Sequence, residues 1–149
     1  MTARTAIALL LCLLLPACSR EPGPEDQIRA VVAAAEEAAE SRDASTLLEL
    51  IAPDYQDGRG NGAEEIRRYV RGYLVTHQSI HLLTRVDEIE ILATDLVRLK
   101  ATVGMLGREA NAESSWDLAG DLYEFDVTLA REDGDWLVTR ADWRRGLAN

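Results

Sequence analysis

Histidine and cysteine, the residues that most often hold metals or do acid-base work near neutral pH, occur only twice each in this 149-residue chain. No His/Cys set with metal-ligand spacing can be built from them. A phosphate-binding P-loop, a dinucleotide-binding glycine pattern and a nucleophile elbow are also missing. Basic residues are outnumbered, 16 Lys and Arg against 26 Asp and Glu, and a net charge of −10 argues against a nucleic-acid partner. Internal repeats and low-complexity segments are absent. No cofactor is expected.

Long apolar runs are missing too. The most apolar stretch, Ala6 to Leu15, is too short to cross a hydrocarbon core of about 30 Å but has the length of a signal-peptide core, and Arg4 is the only charge before it. The run ends in Leu15-Pro16-Ala17-Cys18, which resembles a bacterial lipobox, where cleavage before Cys18 leaves that residue to carry the lipid. Ordinary cleavage after Ala17-Cys18-Ser19 is the alternative. Cys12 lies inside the discarded run, so Cys18 has no disulfide partner in the mature chain. More than one acyl chain gives stable anchoring. The expected organisation is a signal peptide at 1–17, a lipidated Pro- and Gly-rich tether at 18–25 and one domain at 26–146. The expected location is the cell envelope, with Ser19 after the cysteine favouring an outer membrane and a domain facing the periplasm. About 132 mature residues suffice for a single core without metals or disulfides.

From Asp26, apolar residues at Ile28, Val31, Val32, Ala35, Ala38 and Ala39 follow helical spacing, with Arg29, Glu36, Glu37 and Glu40 opposite, and predict a helix over 26–42 capped by Asp26. Asp43 or Ser45 can cap a short helix that Pro53 stops. Residues 54–57 read as a short extended segment, and Gly58, Gly60 and Gly62 break regular structure. Asn61 with Glu64 signals a third helix, whose apolar face is Ile66, Tyr69, Val70, Tyr73 and Leu74. After His77 the apolar period changes to two, predicting strands at 79–92, 96–106, 121–131 and 135–145. Asp133-Gly134 is a hairpin signal. The connection from Gly107 to Gly120, carrying Trp116, reads as a lid or a plain loop. Helices first and an antiparallel sheet second is an α+β layout with helices covering one sheet face.

Three segments, Leu47 to Tyr55, the glycine stretch with Glu65-Ile66-Arg67-Arg68-Tyr69, and Asp133-Gly134-Asp135-Trp136-Leu137-Val138, together resemble the NTF2-like superfamily, which includes SnoaL-like and ketosteroid-isomerase-like proteins. The resemblance implies a cystatin-like cone: three helices on a curved sheet of four long strands plus one short segment, often with an apolar pocket at the wide end. It implies no particular reaction, because the fold hosts many. Of the three roles shared by ketosteroid-isomerase-like members, the resemblance offers at most Asp57 near the base position. The first helix has no tyrosine, and Asp126 alternates away from the apolar residues of its strand. The Asp-Arg-Asp arrangement of the epoxide-hydrolase-like members is not matched.

Candidate pocket residues are Tyr55 and Asp57 around the glycine segment, Tyr69 and Tyr73 on the third helix, Trp116 in the long connection, and Arg140 and Asp142, which strict alternation places on one face with Trp136 and Val138. Each has a plain structural counterpart: turn aspartate, core aromatic, surface ion pair. His77 and His81 read as a helix-end and a strand histidine rather than a catalytic or metal pair. Three functions remain open. The chain binds a small apolar ligand or an envelope protein without catalysis; or it is an isomerase, dehydratase or hydrolase with Asp57 as base; or it is a structural oligomer, with a homodimer across the open sheet face as the simplest form.

Overall fold

The computed structural model describes residues 22–109 and 119–146. Three helices, α1 (Pro24–Glu40), α2 (Ala44–Glu49) and α3 (Ala63–Thr76), precede four strands, β1 (His77–Ala93), β2 (Leu96–Glu109), β3 (Ala119–Glu132) and β4 (Asp135–Arg145). The strands form one antiparallel sheet in the order β1-β2-β3-β4. This is the expected α+β architecture. The cysteines and the signal segment lie outside the described residues, as does Trp116. No helix among the described residues is long and apolar enough to cross a membrane.

Helix α1 starts two residues earlier than its periodicity predicts. Pro24 takes the first turn, where its missing N–H costs nothing, Gly23 is the N-cap, and Asp26 becomes a first-turn acid at the positive helix end rather than a cap. The helix stops at Ser41, and Arg42 turns the chain with a φ of 60°. Asp43 caps α2, its carboxylate accepting from the Thr46 N–H and hydroxyl at 3.2 and 2.7 Å. The expected Asn61–Glu64 start of α3 shifts by one residue: Gly62 is the N-cap, and Glu65 reaches back to its N–H at 3.1 Å.

Pairing in the sheet extends beyond the predicted strand ends. Gly107 pairs with Ala119, so the two ends of the expected long connection, 107–109 and 119–120, are strand. Asp133 and Gly134 both have positive φ, 50° and 98°, as a two-residue hairpin turn requires. Four extra residues, Gln78, Asp87 and Leu92 in β1 and Thr139 in β4, interrupt the register. Such bulges bend a strand and help the sheet curl round the helices.

The apolar stripe of α1 lies inside this curl. Ile28, Val97, Leu99, Leu129 and Trp136 form the main core, and the Trp136 indole N–H donates to the Gln27 side chain at 2.9 Å. These residues lie toward the hairpin turns, at the narrow end. A second cluster of Ile51, Tyr55 and Ala63 anchors the segment after α2. That segment docks on the free edge of β4: Ile51 bridges Val138 in parallel, and Ala52 and Gln56 donate to the Val138 and Thr139 carbonyls, each at 3.0 Å. At the other edge, the Glu40 carboxylate accepts from the Leu82 N–H at 2.8 Å. Both edges are thus occupied where unpaired backbone groups would invite other strands.

Candidate functional site

Between α1, α3 and the concave sheet face lies a cavity of about 380 Å³, within the size range of small-molecule sites. Its wall is overwhelmingly apolar. Val32 and Ala35 come from α1, Leu82 from β1, Val103 and Met105 from β2, and Val127 from β3. The lining residues that carry polar groups are tyrosines 55, 69, 73 and 123, Trp143, Thr84 and a single acidic residue, Glu36.

Tyrosines 55, 69 and 73 line this cavity, as the sequence predicts for a pocket. Tyr55 is buried, and its hydroxyl donates to the Ala141 carbonyl at 3.1 Å. Burial, reinforced by the negative charge of Asp57, pushes its pKa up to about 12. Tyr73 and Tyr123 are likewise raised, first by burial and then by neighbouring phenols and Asp121 for Tyr73, and by Asp121 for Tyr123. All three remain protonated donors at neutral pH. Tyr69 is more exposed and stands at the rim beside Trp143, ring centroids 6.1 Å apart.

Asp57 is placed differently from the pocket base the sequence offered. It is buried but outside the cavity wall, and its carboxylate accepts from the Arg59 and Asn61 N–H groups at 2.9 Å each and from the Asn61 side chain at 2.8 Å. Burial alone raises its pKa. The Asn61 side-chain amide, the two backbone donors and the Arg59 charge outweigh that and hold it below the ordinary carboxylate value. A base poised for catalysis needs the opposite shift. The geometry is that of a side chain organising the glycine loop.

Arg140 and Asp142 also depart from expectation. Leu129 pairs with Val138 but Thr128 with Arg140, so Thr139 is an extra residue and the alternation of β4 reverses beyond it. Ala141 and Trp143 therefore enter the wall, while Arg140 and Asp142 leave it. The two form an ion pair at 2.7 Å, and Asp142 accepts from the Gly58 N–H at 2.8 Å. A Cβ on Gly58 would lie 2.8 Å from both side chains, so any larger residue there would push the ends of Arg140 and Asp142 aside.

The histidines take no part in the wall. His77 stacks on Tyr73 with centroids 4.0 Å apart and sits 2.9 Å from the Tyr73 carbonyl, closing the end of α3. His81 lies exposed on β1. Among the described residues no group of three or more His, Cys, Asp or Glu is arranged to hold a metal.

Sequence reasoning missed Glu36 and did not put Tyr123, Phe125 and Met105 among the pocket candidates. For Tyr123 and Phe125 the signal was present, since they alternate with Val127 and Leu129. Glu36, assigned to the outer helix face, lies one turn above Val32 on the flank of the apolar stripe, where four-residue spacing keeps two side chains on one side.

Comparisons with solved structures now decide the architecture. The chain superimposes on a protein assigned as a scytalone dehydratase from Novosphingobium aromaticivorans with a TM-score of 0.73 and 12% identity, covering 83% of this chain and 84% of that one. An NTF2-like protein from Streptomyces avermitilis assigned as a dehydratase gives 0.71 and 19%, covering 83% and 97%. The fold is NTF2-like. A hexachlorocyclohexane dehydrochlorinase also superimposes, at 0.68 and 15% identity, covering 83% and 86%. No family model and no curated protein sequence matches. At these identities the NTF2-like likeness is one of fold, and function rests on this chain's own cavity.

Proposed function

We propose that this NTF2-like chain is an envelope-anchored lipoprotein whose cavity holds a small apolar ligand, without catalysing a reaction on it. The observation that carries the binding reading is the wall itself: about 380 Å³ lined by aliphatic and aromatic side chains, with a few phenols to orient a guest. The non-catalytic reading is supported by the position of Asp57, the base of the enzymatic alternative, which is held by loop donors away from the wall. Anchoring is supported by the segment Leu15-Pro16-Ala17-Cys18 after the apolar run. A structural oligomer built face to face has less support. The outer sheet face carries paired charges, Lys100–Glu88 and Arg98–Asp126 among them, which a partner would have to desolvate.

Native mass spectrometry of the full chain carrying Cys18→Ser, followed by thermal-shift screening with small apolar compounds, tests the binding reading. A ligand at about 100 times its Kd stabilises the fold by about 2.7 kcal/mol. Ala35→Phe, which fills the wall from a partly exposed position, abolishes that shift while the far-ultraviolet circular dichroism stays unchanged. A chain that retains nothing and shifts with no compound has no binding cavity.

A further inference from the structure

The cavity also carries a charge preference, and this inference rests on the binding reading above. Glu36 is the one acidic residue among those lining the cavity, and no lysine, arginine or histidine lines it. Glu36 is partly buried and has no hydrogen bond or ion pair to another described residue. This sets it apart from Glu40 one turn later, whose carboxylate is used on β1. A carboxylate left without a partner beside an apolar cavity gains from a cation brought in by a guest, and it repels an anion.

The rest of the wall points the same way. Tyr69, Tyr73, Tyr123, Phe125 and Trp143 form a run of neighbouring rings with centroids 6.1 to 6.5 Å apart. Aromatic faces attract ammonium groups and offer nothing comparable to a carboxylate. Trp143 already carries a cation on one face, the Arg59 guanidinium 4.5 Å from its centroid and held by the Trp143 carbonyl at 2.9 Å, so the contact with a guest's ammonium falls to the other rings of the run. A sphere of the cavity's volume is about 9 Å across, so any guest lies within about a Debye length of Glu36.

We propose that the cavity selects an amphiphilic cation, an apolar body bearing a protonated amine or quaternary ammonium, with Glu36 as counter-charge and the aromatic run as a second contact. Neutral guests of the same shape bind more weakly, and carboxylates such as fatty acids are the poorest.

Three probes of one shape separate charge from fit: 1-adamantanamine, 1-adamantanol and 1-adamantanecarboxylate, titrated by calorimetry at pH 7 into the full chain carrying Cys18→Ser. The expected result is ammonium tighter than alcohol by about tenfold or more, and carboxylate weakest. Glu36→Gln brings the ammonium close to the alcohol. If the alcohol matches the ammonium, if the carboxylate binds best, or if Glu36→Gln keeps the full preference, the cation proposal is overturned and the binding reading stands. If none of the three binds, the cation proposal falls, and the native-mass and thermal-shift screen above decides the binding reading. Should Glu36→Gln fail to fold, the ranking on the unsubstituted cavity still decides.

Discussion

Asp57 is the side chain whose role changes most between chain and structure, and the reason is donor count. Three N–H groups converge on one carboxylate in a loop of five residues, from Asp57 to Asn61, which also contains Gly58 and Gly60. Gly60, with a φ of 85°, gives the turn its left-handed residue. Asp57→Asn removes the charge and leaves at least one donor facing an amide rather than a carboxylate. It should cost about 1–3 kcal/mol in urea unfolding without changing a bound ligand's affinity directly. The pH dependence has a definite sign. The folded pKa lies below the ordinary value of about 3.9, so the stabilisation is fully present above that value and is lost as pH falls through the folded pKa. The stability gap between the parent and Asp57→Asn is therefore constant near neutrality and closes in acid. A gap that stayed open at low pH would show that the carboxylate's charge is not the cause.

At the scale of elements, two joints determine where the site lies. The first is the seat of α1. Ile28 is fully buried among Val97, Leu99, Leu129 and Trp136, and it pins the helix to the narrow end. Ile28→Ala should cost about 2–5 kcal/mol in urea unfolding. A cost below about 1 kcal/mol would mean that the helix is held mainly elsewhere. The second joint is the extra residue Thr139. Read with strict alternation, β4 points Trp136, Val138, Arg140 and Asp142 to one side; with one residue inserted, Ala141 and Trp143 take the places of the last two. Nothing local in Leu137-Val138-Thr139-Arg140 marks this bulge. It forms where two partners meet the strand at different phases: β3 on one side, and on the other the chain after α2, whose Gln56 N–H binds the Thr139 carbonyl.

For the whole molecule, most of the apolar content goes into one concave surface, and charge covers much of the other, where Leu83 and Leu106 also stand exposed. Pairs such as Lys100–Glu88 at 2.6 Å lie roughly half exposed on the outer face and add little stability singly. They keep that face solvated instead. The cavity's aromatic run includes Tyr123 and Trp143, at the ends of β3 and β4 far from the Asp133-Gly134 turn, while Ile28 and the start of α1 lie toward that turn. If Cys18 carries lipid, Cys18→Ser moves the chain from the membrane fraction to the soluble fraction and abolishes acyl labelling. Unchanged fractionation together with persistent labelling at another residue would overturn the anchoring proposal.

The amino-acid sequence by itself determined the element order, the helix-to-strand change at His77, the hairpin at Asp133-Gly134 and three of the four tyrosines of the wall, Tyr55, Tyr69 and Tyr73. These are carried by short-range periodicity and by turn chemistry, both of which act within a few residues. It also determined the excess of acid and the lack of a histidine or cysteine cluster. Only the tertiary structure decided which carboxylate borders the cavity. Glu36 and Asp57 are equally acidic in the chain. One is left beside the cavity because α1 presents its flank to β1, and the other is consumed by three donors of its own loop. Burial, phase and donor count at a site are sums over segments far apart in the chain, and those sums exist only once the sheet has curled around the helix.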